Sequence, residues 1–163
     1  INPHGRLPAL QDEVALADGS TRTISVYDST VINEYLEDAY PARPLFPREP
    51  ADRAAARLLE DWADNLLIEP AGELYGQFVF TAESRRQKTR IEEARRRSLE
   101  LLRRLDDILA DDRPYLLGDY SIADAAMTPS MAYLMQFGTP VVEVMPRVHA
   151  WFVRLKSRPS FQV

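Results

Sequence analysis

The sequence predicts a mixed fold class, a short α/β unit followed by an all-helical domain. Three features carry the prediction. Apolar and polar residues alternate up to Tyr27, prolines crowd the stretch after Tyr40, and beyond it apolar residues recur every three or four positions. The expected boundaries are 1–41 for the α/β unit, 42–50 for a linker and 51–163 for the helical domain.

The opening "INPHGRLPAL" reads as a loop running into a strand at "RLPAL", and "TRTISVY" reads as a second strand in which Ile24 and Val26 alternate with polar neighbours. Asp18-Gly19 between them is a favoured hairpin turn, since both residues tolerate positive φ. Pro8 cannot donate to a strand ladder. That leaves either a special local geometry, such as a cis Leu7–Pro8 bond, or an edge strand, and both leave backbone groups of Leu7 unpaired.

Helical spacing begins at Ser29, with Val31, Ile32, Tyr35, Leu36 and Ala39 on one face and Pro41 as the stop. Asp28 and Ser29 stand at the head of this helix. They form either a plain N-cap or a seat for a ligand, because free amides and the helix dipole there favour a carboxylate while Asp28 is placed to accept from an ammonium.

Pro41, Pro44, Pro47 and Pro50 mark an extended connector. Leu58, Leu59, Trp62, Ala63, Leu66 and Leu67 then define one apolar helix face, followed by the less regular "EPAGELYGQFVFTAE". A long charged helix is expected from about Ser84 to Asp112. Its "RRQKTR" and "ARRR" runs are interleaved with Glu92, Glu93, Glu100, Asp106 and Asp107, the pattern of a solvated, ion-paired face rather than a nucleic-acid surface. Ser121 and Asp124 have capping-box spacing. Met127, Met131 and Met135 line one side of the helix that follows, as core filler or as an adaptable substrate wall. Pro129 should kink that helix, and Pro146 should start the last one.

Composition narrows the function. With 163 residues, 45% of them hydrophobic, the chain can enclose one substantial core or two small ones. A net charge of -5 argues against nucleic acid or an anionic membrane as partner. The absence of cysteine excludes disulfides, thiolate metal sites and a nucleophilic Cys from these residues. There is no apolar run of membrane-spanning length and no charged-then-apolar opening, so the expected compartment is cytoplasmic. His4 and His149 lie outside any HExxH pattern, so no metal site is expected, and neither GxGxxG nor GxxxxGKS occurs.

The stretches "NPHGRLPAL", "YDSTVINEYLEDAYPARPLFP" and "DRAAAR" resemble the second half of the thioredoxin-like domain of cytosolic glutathione transferases. "RPYLLGDYSIADAAMTPSMAYL" resembles the capping-box region of their helical domain. The wording is closest to omega-like and related bacterial members, and the resemblance covers nearly the whole chain. It implies a partial thioredoxin-like domain followed by the family's helical domain. It also implies that Pro8 is the family's cis-proline, that the backbone of Leu7 pairs with the cysteinyl part of glutathione, and that Asp28 and Ser29 hold the γ-glutamyl end. Asp28 replaces the family's usual Glu and is one methylene shorter.

In the family a β-α-β-α segment carrying the catalytic Ser, Tyr or Cys precedes the NP-G stretch. These residues lack it, so the catalytic residue is unknown, and the chain is expected to be either incomplete as written or a truncated fragment. The implied activity is binding of glutathione as co-substrate and attack of its thiolate on a hydrophobic electrophile, or on a disulfide if the missing residue is Cys. Tyr75, Phe78, Met127 and Met131 are the candidates for the second-substrate pocket, and a homodimer is implied. The alternative is a non-catalytic interaction protein resembling stringent starvation protein A.

Overall fold

A computed structural model describes residues 1–161. The chain divides into two compact units, Ile1–Leu45 and Phe46–Val163.

In the first unit, β1 (Ala9–Ala15) pairs antiparallel with β2 (Thr21–Tyr27), in register from Ala9↔Tyr27 to Ala15↔Thr21. The first strand therefore starts after Pro8, not at Arg6. Pro8 follows a cis peptide bond and has no N–H for the ladder. Of the two expected turn residues only Gly19 takes positive φ, at 83°. Asp18 instead accepts through Oδ1 from Ser20 N (2.9 Å) and from Ser20 Oγ (2.6 Å).

The helix α1 (Ser29–Ala39) begins and ends as its pattern predicts. It packs on the sheet face that carries Asp12, whose Oδ2 accepts from Tyr35 Oη (2.7 Å) and Tyr40 Oη (2.6 Å). Val31 and Leu36, expected on the packed face, are 51% and 39% exposed, and no residue from 1 to 45 is fully buried. Two strands and one helix enclose little volume.

The second unit begins at Phe46. That residue was expected in an extended connector, but it is 4% exposed and packs with Ala56 and Ile122. The guanidinium groups of Arg53 and Arg57 each lie 5.1 Å from its ring centre. A buried aromatic thus ties the proline-rich stretch to the helical unit.

With Pro50 in its first turn, α2 (Pro50–Trp62) continues through a π turn at Ala63–Leu67 into α3 (Ile68–Tyr75) and a second π turn at Gly76–Phe80. The "less regular" stretch is therefore helical to Phe80. Pro70 lacks the N–H that an α-helix would send to Leu66 and would crowd that carbonyl. The wider turn, with Ile68 N bonded to Ala63 O, accommodates it. Leu59, Trp62, Ala63 and Leu67 are buried, whereas Leu58 and Leu66 are 66% and 42% exposed. Adjacent residues lie about 100° apart around a helix, so Leu58 and Leu59 cannot share one narrow face.

The long charged helix α4 (Lys88–Ile108) starts four residues later than expected, after a 3₁₀ turn at Glu83–Arg85. The intervening Arg86 turns back, its Nε 3.0 Å from Gln77 O and its Nη2 3.3 Å from Phe78 O, and so satisfies carbonyls at the end of the preceding helix. The interleaved charges pair as predicted. Arg96 bridges Glu93 and Glu100, and Arg147 meets Asp106 at 2.6 Å.

The remaining helices are α5 (Ile122–Gln136), α6 (Val141–Val144) and α7 (Pro146–Lys156). Pro129 lies inside α5 without ending it, and Pro146 opens α7 as expected. Leu67, Leu74, Leu102, Leu105, Leu134 and Trp151 form the centre of the core. The capping box is present, with Asp124 Oδ2 accepting from Ser121 N at 3.0 Å. No helix among the described residues is long and apolar enough to cross a membrane.

Candidate functional site

The first unit contains a cleft of roughly 660 Å³. One wall is the loop before β1, with Asn2, His4, Arg6, Leu7 and Pro8; the other is the junction of β2 and α1, with Tyr27, Asp28 and Ser29. The Ala9↔Tyr27 pair is the first rung of the hairpin ladder, so it sets Pro8 beside Asp28. All four residues expected to hold glutathione line this one cleft.

Each wall is held locally. Asn2 uses both ends of its amide: Oδ1 accepts from His4 N at 2.9 Å, and Nδ2 donates to Arg6 O at 2.7 Å. Gly5 sits between them at φ 63°, where glycine has no Cβ penalty. Across the cleft, Asp28 has φ 78° and ψ 129°, a positive-φ conformation outside the left-handed helical region and strained for a residue with a Cβ. Its Oδ1 accepts from Thr30 N (3.1 Å) and Val31 N (3.3 Å). The cap therefore belongs to Asp28. Ser29, the first helical residue, brings its hydroxyl to the positive end of the helix dipole without being needed for the cap.

The second unit gathers Tyr75 and Phe78 into an aromatic cluster. Tyr75 lies 4.8 Å from Tyr133 and 5.4 Å from Phe80, and Phe78 stacks on Phe137 at 5.1 Å with the rings 7° from parallel. Arg86 caps the Phe78 face at 4.9 Å. Phe80 is 79% exposed, so the cluster reaches solvent. Met127 and Met131 do not join it. Both are 0% exposed within the core, which matches their reading as core filler.

Sequence reasoning missed Tyr133 and Phe137 as members of the cluster, although the four-residue spacing from Tyr133 in α5 to Phe137 at its C-terminal cap was the available signal. It also missed Asn2, His4 and Arg6 as cleft residues. His149 lies in α7, half-buried, and no group of three or more His, Cys, Asp or Glu suited to a metal occurs among the described residues. A second hollow of roughly 680 Å³ lies between α3 and α4. Among its charged residues Arg90 bonds Glu73 at 2.5 Å, while Glu93 and Arg97 pair with Arg96 and Glu100 along α4.

Comparison with known proteins points in one direction. Residues 67–159 match the family model for the glutathione S-transferase C-terminal domain. Glutathione S-transferase GstB of Escherichia coli is 26% identical over 163 residues, spanning 98% of this chain and 73% of its own length. A stringent starvation protein A homolog of Coxiella burnetii is 26% identical over 166 residues, spanning 99% of this chain and 69% of its own. The crystal structure of the theta class glutathione S-transferase from Xanthomonas axonopodis pv. citri with glutathione bound is 34% identical, with a TM-score of 0.72 over 85% of this chain and 72% of that one.

Proposed function

This chain belongs to the glutathione S-transferase family, with a first unit of thioredoxin-like kind and the family's helical domain as its second, and on that premise we propose that it binds glutathione in the cleft of the first unit. The observation that carries the reading is the meeting of Leu7 and Pro8 with Asp28 and Ser29 in one cleft. In this reading Ser29 Oγ and Ser29 N, beside the amides already held by Asp28, receive the γ-glutamyl carboxylate, where the dipole favours negative charge. Asp28 accepts from the ligand's ammonium. The backbone of Leu7 pairs with the cysteinyl part, and Pro8 shapes that wall.

The bound thiol loses its proton to become the nucleophile. Its sulfur then bonds to an electrophilic carbon, whose leaving group departs with the electron pair, or to one sulfur of a disulfide, whose other sulfur leaves as thiolate. The residue that stabilises this thiolate is unassigned. Tyr75 and Phe78, with Tyr133 and Phe137 beside them, supply an apolar wall for a hydrophobic second substrate. Met127 and Met131 are left out of that wall because they are enclosed in the core. The same reading makes the protein a cytoplasmic, homodimeric transferase that needs neither a metal nor nucleic acid.

The likeness to a stringent starvation protein A homolog favours one second reading, a non-catalytic interaction protein. Calorimetric titration of glutathione into the protein and into Ser29→Ala separates the two. The transferase reading expects binding that Ser29→Ala weakens by about 1 kcal/mol or more, the scale of a lost hydrogen bond to a charged group. An unmutated protein that takes up no glutathione sinks that reading and promotes the second.

A further inference from the structure

A third hollow, of roughly 160 Å³, lies in the second unit where α5 meets the end of α7. Ala125 of α5, Leu155 of α7 and the rings of Tyr120 and Phe161 give it apolar walls, with Arg158 and Ser160 set among them. These walls are held in place. Phe161 N donates to Arg158 O at 3.0 Å, and the Phe161 ring meets Phe152 edge-on, with centres 6.0 Å apart and planes at 80°. Two tyrosines clasp the guanidinium of Arg158. Its Cζ lies 3.4 Å from the Tyr120 ring centre and 5.8 Å from that of Tyr115, and Nη1 donates to Tyr115 Oη at 3.4 Å.

What this guanidinium lacks is an anion. Among the described residues no carboxylate lies within ion-pairing distance of Arg158, and its Nε is buried without a hydrogen-bond partner. An unpaired buried donor is costly, and Arg recognises a carboxylate through the paired donors of its planar fork. Asp124 is no substitute, because its oxygens are taken by Trp151, Leu116 and Ser121. Burial pushes the Tyr120 hydroxyl up from its ordinary range, so no negative group in the hollow repels an anion. We infer that this hollow is a ligand site for a small aromatic carboxylate, whose oxygens accept from Arg158 and Ser160 Oγ while its ring lies against Ala125, Leu155 and Phe161. The size agrees, since an apolar cavity of about 150 Å³ takes up benzene. The site lies wholly in the second unit and does not rest on the glutathione reading.

The test is a calorimetric titration of benzoate, of its neutral isostere benzamide and of inorganic phosphate into the unmutated protein, with backbone amide chemical shifts recorded alongside. Benzoate should bind with a dissociation constant of about 1 mM or below, within reach of a ligand of its size. Benzamide, which lacks the charge, and phosphate, which lacks the ring, should each bind about tenfold more weakly or worse. The shifts should move at Tyr120, Ala125, Leu155 and Phe161. Arg158→Gln should weaken benzoate about tenfold and leave benzamide unchanged. The three-ligand comparison needs no variant, so it decides the matter even if Arg158→Gln does not fold. Absence of benzoate binding at that level, equal affinity for benzamide, or shifts confined to other residues each overturns the site. Equal affinity for phosphate overturns the assignment to an aromatic carboxylate, and an Arg158→Gln protein that binds benzoate undiminished overturns the role of Arg158.

Discussion

The indole N–H of Trp151 in α7 donates to Asp124 Oδ1 in α5 at 2.8 Å, joining residues 27 positions apart. The same oxygen accepts from Leu116 N at 3.1 Å, while Oδ2 takes Ser121 N at 3.0 Å. Asp124 is 0% exposed, so one carboxylate ties a loop, a helix start and the last helix together inside the core. Burial pushes its carboxyl above the ordinary range against the pull of the Trp151, Leu116 and Ser121 donors. Asp124→Ala strands those buried donors and should cost roughly 3–5 kcal/mol in denaturant unfolding, whereas Trp151→Phe removes one donor together with part of a buried ring and should cost about 1–3 kcal/mol.

Asp28 and Ser29 are neighbours with separable duties. Asp28 Oδ1 holds the amides of Thr30 and Val31, so Asp28→Ala should lower the stability of the first unit by about 1 kcal/mol through the lost cap. Asp28→Asn keeps an acceptor oxygen, tolerates the positive φ and deletes the charge. It should therefore leave the helix intact, as read by amide exchange of α1, while weakening glutathione in the calorimeter. Equal damage to both readouts from Asp28→Asn would show that the charge serves the fold rather than the ligand.

The hydroxyls of Tyr40 and Tyr35 hold the Asp12 carboxyl below its ordinary range. The folded value lies under the unfolded one, so the stabilisation is present above about pH 4 and is lost as pH falls through the folded value. The partner shifts the other way: the hydrogen bond to Asp12 pushes Tyr35 up to about 12 from 10. That contribution is present below pH 10 and is lost as pH rises through 12. The difference in phenolate absorbance between the unmutated protein and Tyr35→Phe should show this late ionisation, and the same difference measured in an Asp12→Asn background should move back toward 10.

The parts of this molecule legible in its sequence are those with local signals. Ser29 to Ala39 was readable because a capping acid, a 3.6-residue stripe and a terminating proline agree. Ser121 and Asp124 were readable because the two ends of a capping box lie only three positions apart. The bonds from Trp151 and Leu116 to Asp124 leave no comparable trace, since nothing near Asp124 in sequence specifies a partner 27 residues away. The helix through Tyr75 was misjudged for a physical reason. Pro70, Gly72 and Gly76 are each breakers by propensity, and two π turns with a buried flank override them. In the cleft, Leu7 and Pro8 stood out as a proline in a strand, and Asp28 and Ser29 as an acid and a hydroxyl at a helix head, while their assignment to parts of glutathione came from the family resemblance. Asn2, His4 and Arg6 emerged only when the Ala9↔Tyr27 pairing set the loop against the helix head.

Met131 distinguishes a core from a pocket by experiment. It is 0% exposed on α5 and belongs to the same cluster as Leu67, Leu134 and Trp151, whereas Tyr75 and Phe78 are only partly buried beside the exposed Phe80. Met131→Ala should leave a cavity in the helical unit and cost about 2–5 kcal/mol, with no change in KM for a hydrophobic electrophile in the fraction that stays folded. Tyr75→Ala exposes cluster surface that already touches water, so its stability cost should be smaller while KM for that electrophile rises several-fold and KM for glutathione holds. A Met131→Ala protein of undiminished stability with altered electrophile KM would reverse the assignment and return α5 to the pocket wall.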